Sequence, residues 1–268
     1  MKAIMNKTRH YGIHALFVSL MCVWGVVPGC SNKRTEKKKE LLIYCGITMI
    51  KPMADIARII EKQEECKIII TKGGSGNLLK SLKINKVGDL YLPGSDSYIA
   101  TCLEEGLVSD TVFVGYNKAS IMVQKGNPKQ ITADLDNLRR KDYYVVICNP
   151  GSGSIGRETK HILEQKGIFE EVMANARELT TDSKRLVSVL KEKQADIVIN
   201  WYATSVWEEN ARYIDVLGID EKYAKKKKLV LGLLKTSKYP EIARTFMEYA
   251  VSDKGRELFT RYGLYEVK

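Results

Sequence analysis

The chain has 268 residues, with 43 lysines and arginines against 32 aspartates and glutamates, and a formal net charge of +11 at pH 7. Such a charge can steer an anion to the protein, but it carries no information about the fold. The six cysteines are widely spaced and form no CxxC pair, which excludes a conventional structural zinc site.

The first 40 residues have the features of an export signal followed by a tether. A basic start precedes an apolar run over 15–27, which is shorter than the roughly 20 residues that a membrane-spanning helix needs. The run ends in Val-Pro-Gly-Cys, which resembles the cleavage site of bacterial lipoproteins. We predict a signal peptide over 1–29, a lipid on Cys30 that anchors the protein in the periplasm or at the cell surface, and a charged tether over 30–40. An ordinary signal peptide and an N-terminal membrane anchor are the alternatives.

Beyond residue 40, short β-branched runs alternate with longer amphipathic stretches. This alternation is typical of an α/β fold with largely parallel sheets. The predicted elements, in chain order, are a strand at 41–45, a helix at 51–63, a strand at 67–71, a helix at 77–83, a strand at 89–93, an extended segment at 112–123, a strand at 143–147, helices at 156–165 and 183–193, a strand at 196–199, an extended segment at 228–234 and helical structure over 240–262.

The extended segments at 112–123 and 228–234 interrupt this alternation on either side of a second βα series. This order predicts that one lobe is inserted into another and that both segments form the hinge between them. We therefore expect a first lobe built from 41–117 and 230–268 and a second lobe built from 118–229.

Four cysteines follow the tether: Cys45, Cys66, Cys102 and Cys148. Export permits a disulfide bond among them. Cys45 and Cys148 lie in apolar runs, where buried free thiols are common. The sequence therefore allows one bridge and selects no pairing.

Several turns between a strand and a helix are suited to binding an anion. An oxyanion without protons only accepts hydrogen bonds, so its partners are backbone N–H groups, hydroxyls and helix N-termini. In open α/β sheets, ligands bind outside the carboxyl ends of the strands. The turns at 46–49, 73–77 and 149–156 each lie there and are rich in glycine or hydroxyl residues. A helix cap at the first turn and a flexible connection at the second are the alternative interpretations.

Two further segments have similar features. Residues 180–183 contain hydroxyls and an aspartate directly before a predicted helix, which is typical of an N-cap or of a ligand site. Residues 200–202 follow a strand and bring polar-tipped aromatics to the cleft or into the core. No GKS or GKT follows the glycine-rich turn, and no GxSxG surrounds the later serines. His161, the one histidine after the signal, lies inside a predicted helix and makes a poor general base.

The order of these pieces resembles the periplasmic molybdate/tungstate-binding proteins of ATP-driven importers, over about 41–267. The resemblance rests on six segments: IYCGITMIKPMADIA, TKGGSGNLLKSLKINKVGDLYLPGSDSYI, GYNKASIMVQKGNP, NPGSGSIGRETKHIL, KQADIVINWYATS and IARTFMEYAVSDKGRELFTRYGLYEV. It implies a two-lobed type II periplasmic-binding-protein fold, each lobe a mainly parallel sheet flanked by helices, with a two-strand hinge. It also implies a binding protein and not an enzyme, a monomer that delivers its ligand to an ABC permease, and no cofactor, metal ion or nucleic acid.

The resemblance also implies the residues that contact the anion. They are Thr48, Gly74, Ser75, Ser154, Ile155, Ser183, Trp201 and Tyr202. The sequence departs from the family at two of them, since Thr48 stands where serine is common and Trp201 occupies the position of a tyrosine.

Three alternatives remain at this stage. In the first, the fold is the same but the ligand is phosphate, sulfate or a small organic anion, and Asp182 is the candidate acceptor for a phosphate proton. In the second, the protein is an anchored hydrolase that uses Ser154. In the third, the protein is a basic surface protein that binds polyanions with a steep salt dependence.

Overall fold

The structure is a computed structural model that describes residues 38–264. The predicted signal peptide, the lipid on Cys30 and the tether up to residue 37 lie outside the described residues. The first strand begins at Glu40, which the sequence had assigned to the tether.

The described residues alternate strands and helices through most of their length. The strands are β1 (Glu40–Gly46), β2 (Lys67–Gly73), β3 (Leu90–Leu92), β4 (Val108–Asn117), β5 (Ala119–Gln124), β6 (Val145–Cys148), β7 (Glu178–Thr180), β8 (Ile197–Trp201), β9 (Ile214–Leu217) and β10 (Lys227–Leu234). The helices are α1 (Ile50–Gln63), α2 (Ser75–Asn85), α3 (Ser97–Glu104), α4 (Ser154–Lys166), α5 (Phe169–Asn175), α6 (Ser183–Lys191), α7 (Glu208–Ala211), α8 (Pro240–Val251) and α9 (Asp253–Arg261).

The strands form two five-stranded sheets, in the orders β2-β1-β3-β10-β4 and β7-β6-β8-β5-β9. In the first sheet β1 pairs in parallel with β2 and β3, and β10 pairs antiparallel with β3 and β4. The second sheet repeats this plan, because β6 is parallel to β7 and β8 while β5 is antiparallel to β8 and β9. We call the first sheet with its packed helices the first half, and the second sheet with its packed helices the second half. The two mixed sheets flanked by helices confirm the predicted fold class.

The apolar pattern of the sequence accounts for the core of each half. Parallel strands covered on both faces are continuous apolar runs, and β6 and β8 are buried along their whole length. Helix α1 buries Met53, Ile56 and Ile60, which lie three and four residues apart on one face. One apolar cluster fills the second half, and separate clusters cover the two faces of the first sheet.

One of the two extended segments of the sequence connects the sheets, and the other lies within the first sheet. The segment at 112–123 contains two strands, because β4 ends at Asn117 in the first sheet and β5 begins at Ala119 in the second. Strand β10 enters the first sheet at Lys227, directly opposite Asn117. The predicted lobe boundary between residues 229 and 230 therefore falls inside β10. Movement of the lobes about these segments stays a prediction.

Some elements differ from the sequence-based prediction. The helical structure at 240–262 is two helices, because Ser252 takes an extended backbone and its hydroxyl accepts the Gly255 N–H at 3.2 Å as an N-cap. Helix α2 begins at Ser75, two residues earlier than predicted. The sequence analysis missed α3, α5, α7, β7 and β9.

All four cysteines of the described residues are buried free thiols, so the bridge that the sequence allowed is not formed. Burial raises the pKa of Cys148 to about 12 and that of Cys102 to about 11. These thiols stay protonated at neutral pH and bring no negative charge into the core. Within the same part of the chain, no helix has the length and apolar character needed to cross a membrane.

Candidate functional site

The carboxyl ends of strands from both sheets meet around one small pocket. Seven of the eight predicted ligand residues line it: Thr48, Gly74, Ser75, Ser154, Ile155, Ser183 and Trp201. The remaining lining residues are Gly46, Ile47, Gly73, Gly94, Gly153 and Asp182. The pocket therefore joins turns that are separated by more than a hundred residues of sequence.

The pocket is small, polar and nearly free of charged side chains. The space between its walls is about 220 Å³, with the solvent at its mouth included. Its lining contains no lysine, arginine or histidine, and Asp182 is its one acidic residue. Any anion held here would therefore be held by neutral groups.

The first half contributes two buried hydroxyls at helix starts. Thr48 lies in the short turn Ile47–Met49 that leads into α1, and Ser75 is the first residue of α2. Both are almost fully buried, with 1% and 2% of their surface exposed. The first amides of a helix have no partner within the helix, so the start of α2 offers N–H groups as well as a hydroxyl.

Gly94, in the turn after β3, is a pocket residue that the sequence analysis did not select. Its N–H donates to Ser75 Oγ at 3.0 Å. A side chain at this position would collide with the Ser154 hydroxyl of the second half, so the close approach requires glycine. The rule that ligands bind beyond strand ends, applied to the predicted strand at 89–93, would have found it.

The second half contributes the starts of two helices. Ser154 and Ile155 begin α4, and Ser183 begins α6. Asp182 is the N-cap of α6, where its Oδ1 accepts the N–H groups of Lys184 at 2.8 Å and of Arg185 at 3.2 Å. The carboxylate therefore already serves the helix.

The structure separates the two aromatic residues Trp201 and Tyr202 at the end of β8. Trp201 is 1% exposed, and its indole Nε1–H donates to Ser154 Oγ at 3.1 Å. Tyr202 does not line the pocket, and its backbone N–H donates to the Lys118 carbonyl at 2.8 Å. Only the tryptophan of this pair therefore faces the predicted site.

Asn117, at the end of β4, is a second residue that the sequence analysis missed. It is fully buried, and its Nδ2 donates to Thr48 Oγ1 at 3.2 Å and to the Gly94 carbonyl at 3.0 Å. It links the first turn, the turn after β3 and the crossing between the sheets. No signal in the sequence marks it, because it lies 69 residues from Thr48 along the chain.

The two halves touch each other beside the pocket. The Asn77 N–H, in the first turn of α2, donates to the Ser152 carbonyl of the second half at 3.1 Å. Arg157 of α4 stacks on the Tyr98 ring of α3, with its guanidinium carbon 3.8 Å from the ring centre. The structure thus has the arrangement of a closed cleft.

Among the described residues, no catalytic base contacts the Ser154 hydroxyl. Its hydroxyl contacts the indole N–H of Trp201, a group that only donates. His161 is exposed on α4, well inside the helix, and does not line the pocket. Within residues 38–264, no cluster of histidine, cysteine, aspartate or glutamate is suited to hold a metal ion.

The fold and the pocket at the strand ends are those of a substrate-binding protein of the α/β class. The model of the bacterial extracellular solute-binding protein family matches residues 41–265, and the chain belongs to this family. Members of this class bind a small ligand for an ABC importer and deliver it to the permease, and they are not enzymes.

Individual relatives are distant. The chain is 22% identical over 260 residues to a Bacillus subtilis protein named "Putative ABC transporter substrate-binding lipoprotein YvgL", covering 93% of this chain and 97% of that one. The periplasmic molybdate-binding protein of Azotobacter vinelandii superposes with a TM-score of 0.71 at 13% identity, covering 85% of this chain and 100% of that one. The sulfate-binding protein SubI of Mycobacterium tuberculosis superposes with a TM-score of 0.75 at 17% identity, covering 86% and 88%. At such identities the similarity demonstrates the fold and leaves the ligand open.

Proposed function

We propose that this solute-binding protein captures molybdate or tungstate, or a similar small oxyanion, in the pocket between its two halves. The anion would accept hydrogen bonds from the hydroxyls of Thr48, Ser75 and Ser154 and from the backbone N–H groups of Ile155 and Ser183. The observation that carries the proposal is the convergence of these neutral donors on one pocket whose lining holds no basic side chain.

The size of the pocket favours a small inorganic ligand. Its walls enclose only about 220 Å³ even when the solvent at its mouth is counted, which leaves little room for a larger organic ligand. Helix N-termini with unpaired N–H groups stabilise anions without a formal positive charge. A dianion such as molybdate fits both features, and two proteins of similar fold are named for molybdate and for sulfate.

Phosphate is the weaker candidate because of how Asp182 is used. A protonated phosphate oxygen needs an acceptor, and Asp182 is the one carboxylate of the lining. Its Oδ1 already accepts two N–H groups of α6.

The test is a calorimetric titration of the full chain with molybdate, tungstate, sulfate and phosphate. We expect molybdate and tungstate to bind most tightly, and Ser75→Ala to weaken binding about 10- to 100-fold, because a hydrogen bond to a charged group contributes about 1.5–3 kcal/mol. Ser109→Ala is the matched control, since Ser109 is exposed on β4 outside the pocket. Absence of binding by all four anions, or equal loss in both variants, would contradict the proposal.

We further propose that the protein works as a monomer outside the cytoplasm, anchored by a lipid on Cys30. The support is the Val-Pro-Gly-Cys sequence after an apolar run and the lipoprotein name of the Bacillus subtilis relative. Replacing Cys30 with serine is expected to move the protein from the membrane fraction to the soluble fraction. A variant that stays in the membrane fraction would rule out this anchor.

A further inference from the structure

Three of the four hydroxyl residues that line the pocket share one feature. Each accepts a hydrogen bond from an N–H group of the protein: Thr48 from Asn117 Nδ2 at 3.2 Å, Ser75 from the Gly94 backbone at 3.0 Å, and Ser154 from Trp201 Nε1 at 3.1 Å. The three donors lie in different parts of the fold, and they are a side-chain amide, a backbone amide and an indole. The acceptance of a protein N–H is therefore common to these three hydroxyls and does not depend on one kind of donor.

The direction of each of these hydrogen bonds follows from the chemistry of the donor. An indole N–H and a peptide N–H donate and do not accept, so the oxygens of Ser154 and Ser75 are the acceptors. Asn117 could in principle point its oxygen at Thr48. That orientation is excluded because the same end of its amide contacts the Gly94 carbonyl at 3.0 Å, which only accepts.

Each hydroxyl consequently keeps its own hydrogen for another partner. In the part of the chain that the structure describes, the hydroxyls of Ser75 and Ser154 donate to no other protein group. The Thr48 hydroxyl lies 2.7 Å from the Met49 sulfur, a weak acceptor that an anion oxygen would replace. A hydroxyl that already accepts an N–H is polarised to donate more strongly, and one of its two lone pairs is occupied.

We propose that Trp201 is a positioning residue that acts through Ser154: its indole N–H holds that hydroxyl as a donor, so that the pocket selects proton-free oxyanions over protonated ones. The proposal rests on the oxyanion function given above and adds the origin of its selectivity. A proton-free anion satisfies every donor of the pocket. A protonated anion brings an O–H that needs an acceptor, and the indole N–H of Trp201 occupies one of the two lone pairs with which Ser154 could accept it.

The experiment compares Trp201→Phe with Trp207→Phe in the full chain. Both variants lose one indole N–H, but that of Trp207 is buried without a hydrogen-bond partner in the described residues, and Trp207 does not line the pocket. Dissociation constants are measured for molybdate, sulfate and phosphate at one pH at which phosphate carries a proton. We expect the preference for molybdate and sulfate over phosphate to fall about tenfold in Trp201→Phe, the effect of about one hydrogen bond. In Trp207→Phe the preference is expected to stay as in the unaltered protein.

The ratio of affinities separates this role from simple packing. If Trp201 only fills space, its replacement would weaken the binding of all anions equally. An unchanged ratio of affinities in Trp201→Phe would therefore overturn the inference, while the oxyanion function would stand. If the unaltered protein binds none of the anions, both proposals fall. Site-specific replacement of the Trp201 indole by benzothiophene, in which sulfur stands in place of N–H, preserves the shape if phenylalanine prevents folding. The same tenfold fall in preference is expected, and an unchanged preference would again overturn the inference.

Discussion

Glu158 is a carboxylate buried in the second half, close to the segment where the chain returns to the first sheet. It is 5% exposed, and its Oε2 pairs with Lys227 Nζ at 3.0 Å. Its Oε1 is buried without a hydrogen-bond partner among the described residues. Burial raises the pKa of Glu158 above the usual glutamate value, and the ion pair with Lys227 offsets only part of that effect.

This raised pKa predicts a pH dependence of stability. Because the folded protein binds this proton more tightly than the unfolded chain does, Glu158 contributes stability below the ordinary glutamate pKa. That contribution is lost as the pH rises through the raised pKa. Glu158→Gln should remove it, so we expect the free energy of unfolding of the unaltered protein to fall relative to the variant across that interval.

Urea unfolding at a series of pH values measures this difference. Glu164→Gln is the matched control, because Glu164 lies on the same helix with a side chain that is 51% exposed. Its curve should run parallel to that of the unaltered protein. A parallel curve for Glu158→Gln would show that the buried carboxyl does not titrate as proposed.

At the scale of the element, helix α6 combines a structural cap with a pocket wall. Asp182 caps the helix through its side chain, while the next residue, Ser183, lines the pocket at the first turn. Asparagine caps a helix about as well as aspartate, whereas alanine does not. The cap and the negative charge can therefore be separated by substitution.

We expect Asp182→Ala to lower the free energy of unfolding by about 1 kcal/mol. Asp182→Asn should retain most of that stability and should bind a dianion more tightly, because it removes a negative charge from the pocket wall. Urea unfolding and calorimetric titration measure the two effects. If asparagine destabilises the protein as much as alanine does, the capping role of Asp182 is wrong.

At the scale of the whole described unit, Gly74 lies at a close contact between the two halves. Its backbone angles, φ −66° and ψ 136°, suit any residue. A side chain there would nevertheless collide with the carbonyl oxygens of Thr181 and Ser152 in the second half. The requirement for glycine therefore comes from the contact between the halves and not from the local backbone.

We predict that the cleft closes on its anion about the β4–β5 crossing and the start of β10, and that Gly74→Ala prevents the last part of this closure. Solution scattering should show the unaltered protein becoming more compact when molybdate is added. The Gly74→Ala variant should compact less and bind at least about tenfold more weakly, since part of the donor set would stay out of reach.

Gly73→Ala is the control for this prediction. A methyl group at Gly73 would meet only the Leu78 side chain, at an ordinary contact distance of 3.5 Å. We expect this variant to compact like the unaltered protein. Equal compaction in Gly74→Ala would mean that the halves do not close at this contact.

The sequence by itself determined the class of fold and most of the pocket. The apolar runs at 41–45 and 143–147 and the helical spacing at 51–63 are local signals, and the structure has strands and a helix there. Thr48 and Ser75 could be selected because the turn after a parallel strand lies at the carboxyl edge of a sheet. Ile155 was selected through the resemblance to the molybdate/tungstate-binding proteins. Short elements such as β7, with three residues, carry too little pattern to be predicted.

Only the tertiary structure decided how the pocket groups are oriented. Asn117 and Gly94 reach the hydroxyls through contacts between distant parts of the chain, and no local pattern encodes such a contact. Trp201 and Tyr202 are adjacent, but Trp201 ends β8 while Tyr202 begins a short 3-10 helix, and only Trp201 lines the pocket. The sequence thus determined which groups could bind an anion, while hydrogen bonds between residues 19, 47 and 69 positions apart decided which of them face it and in which direction they donate.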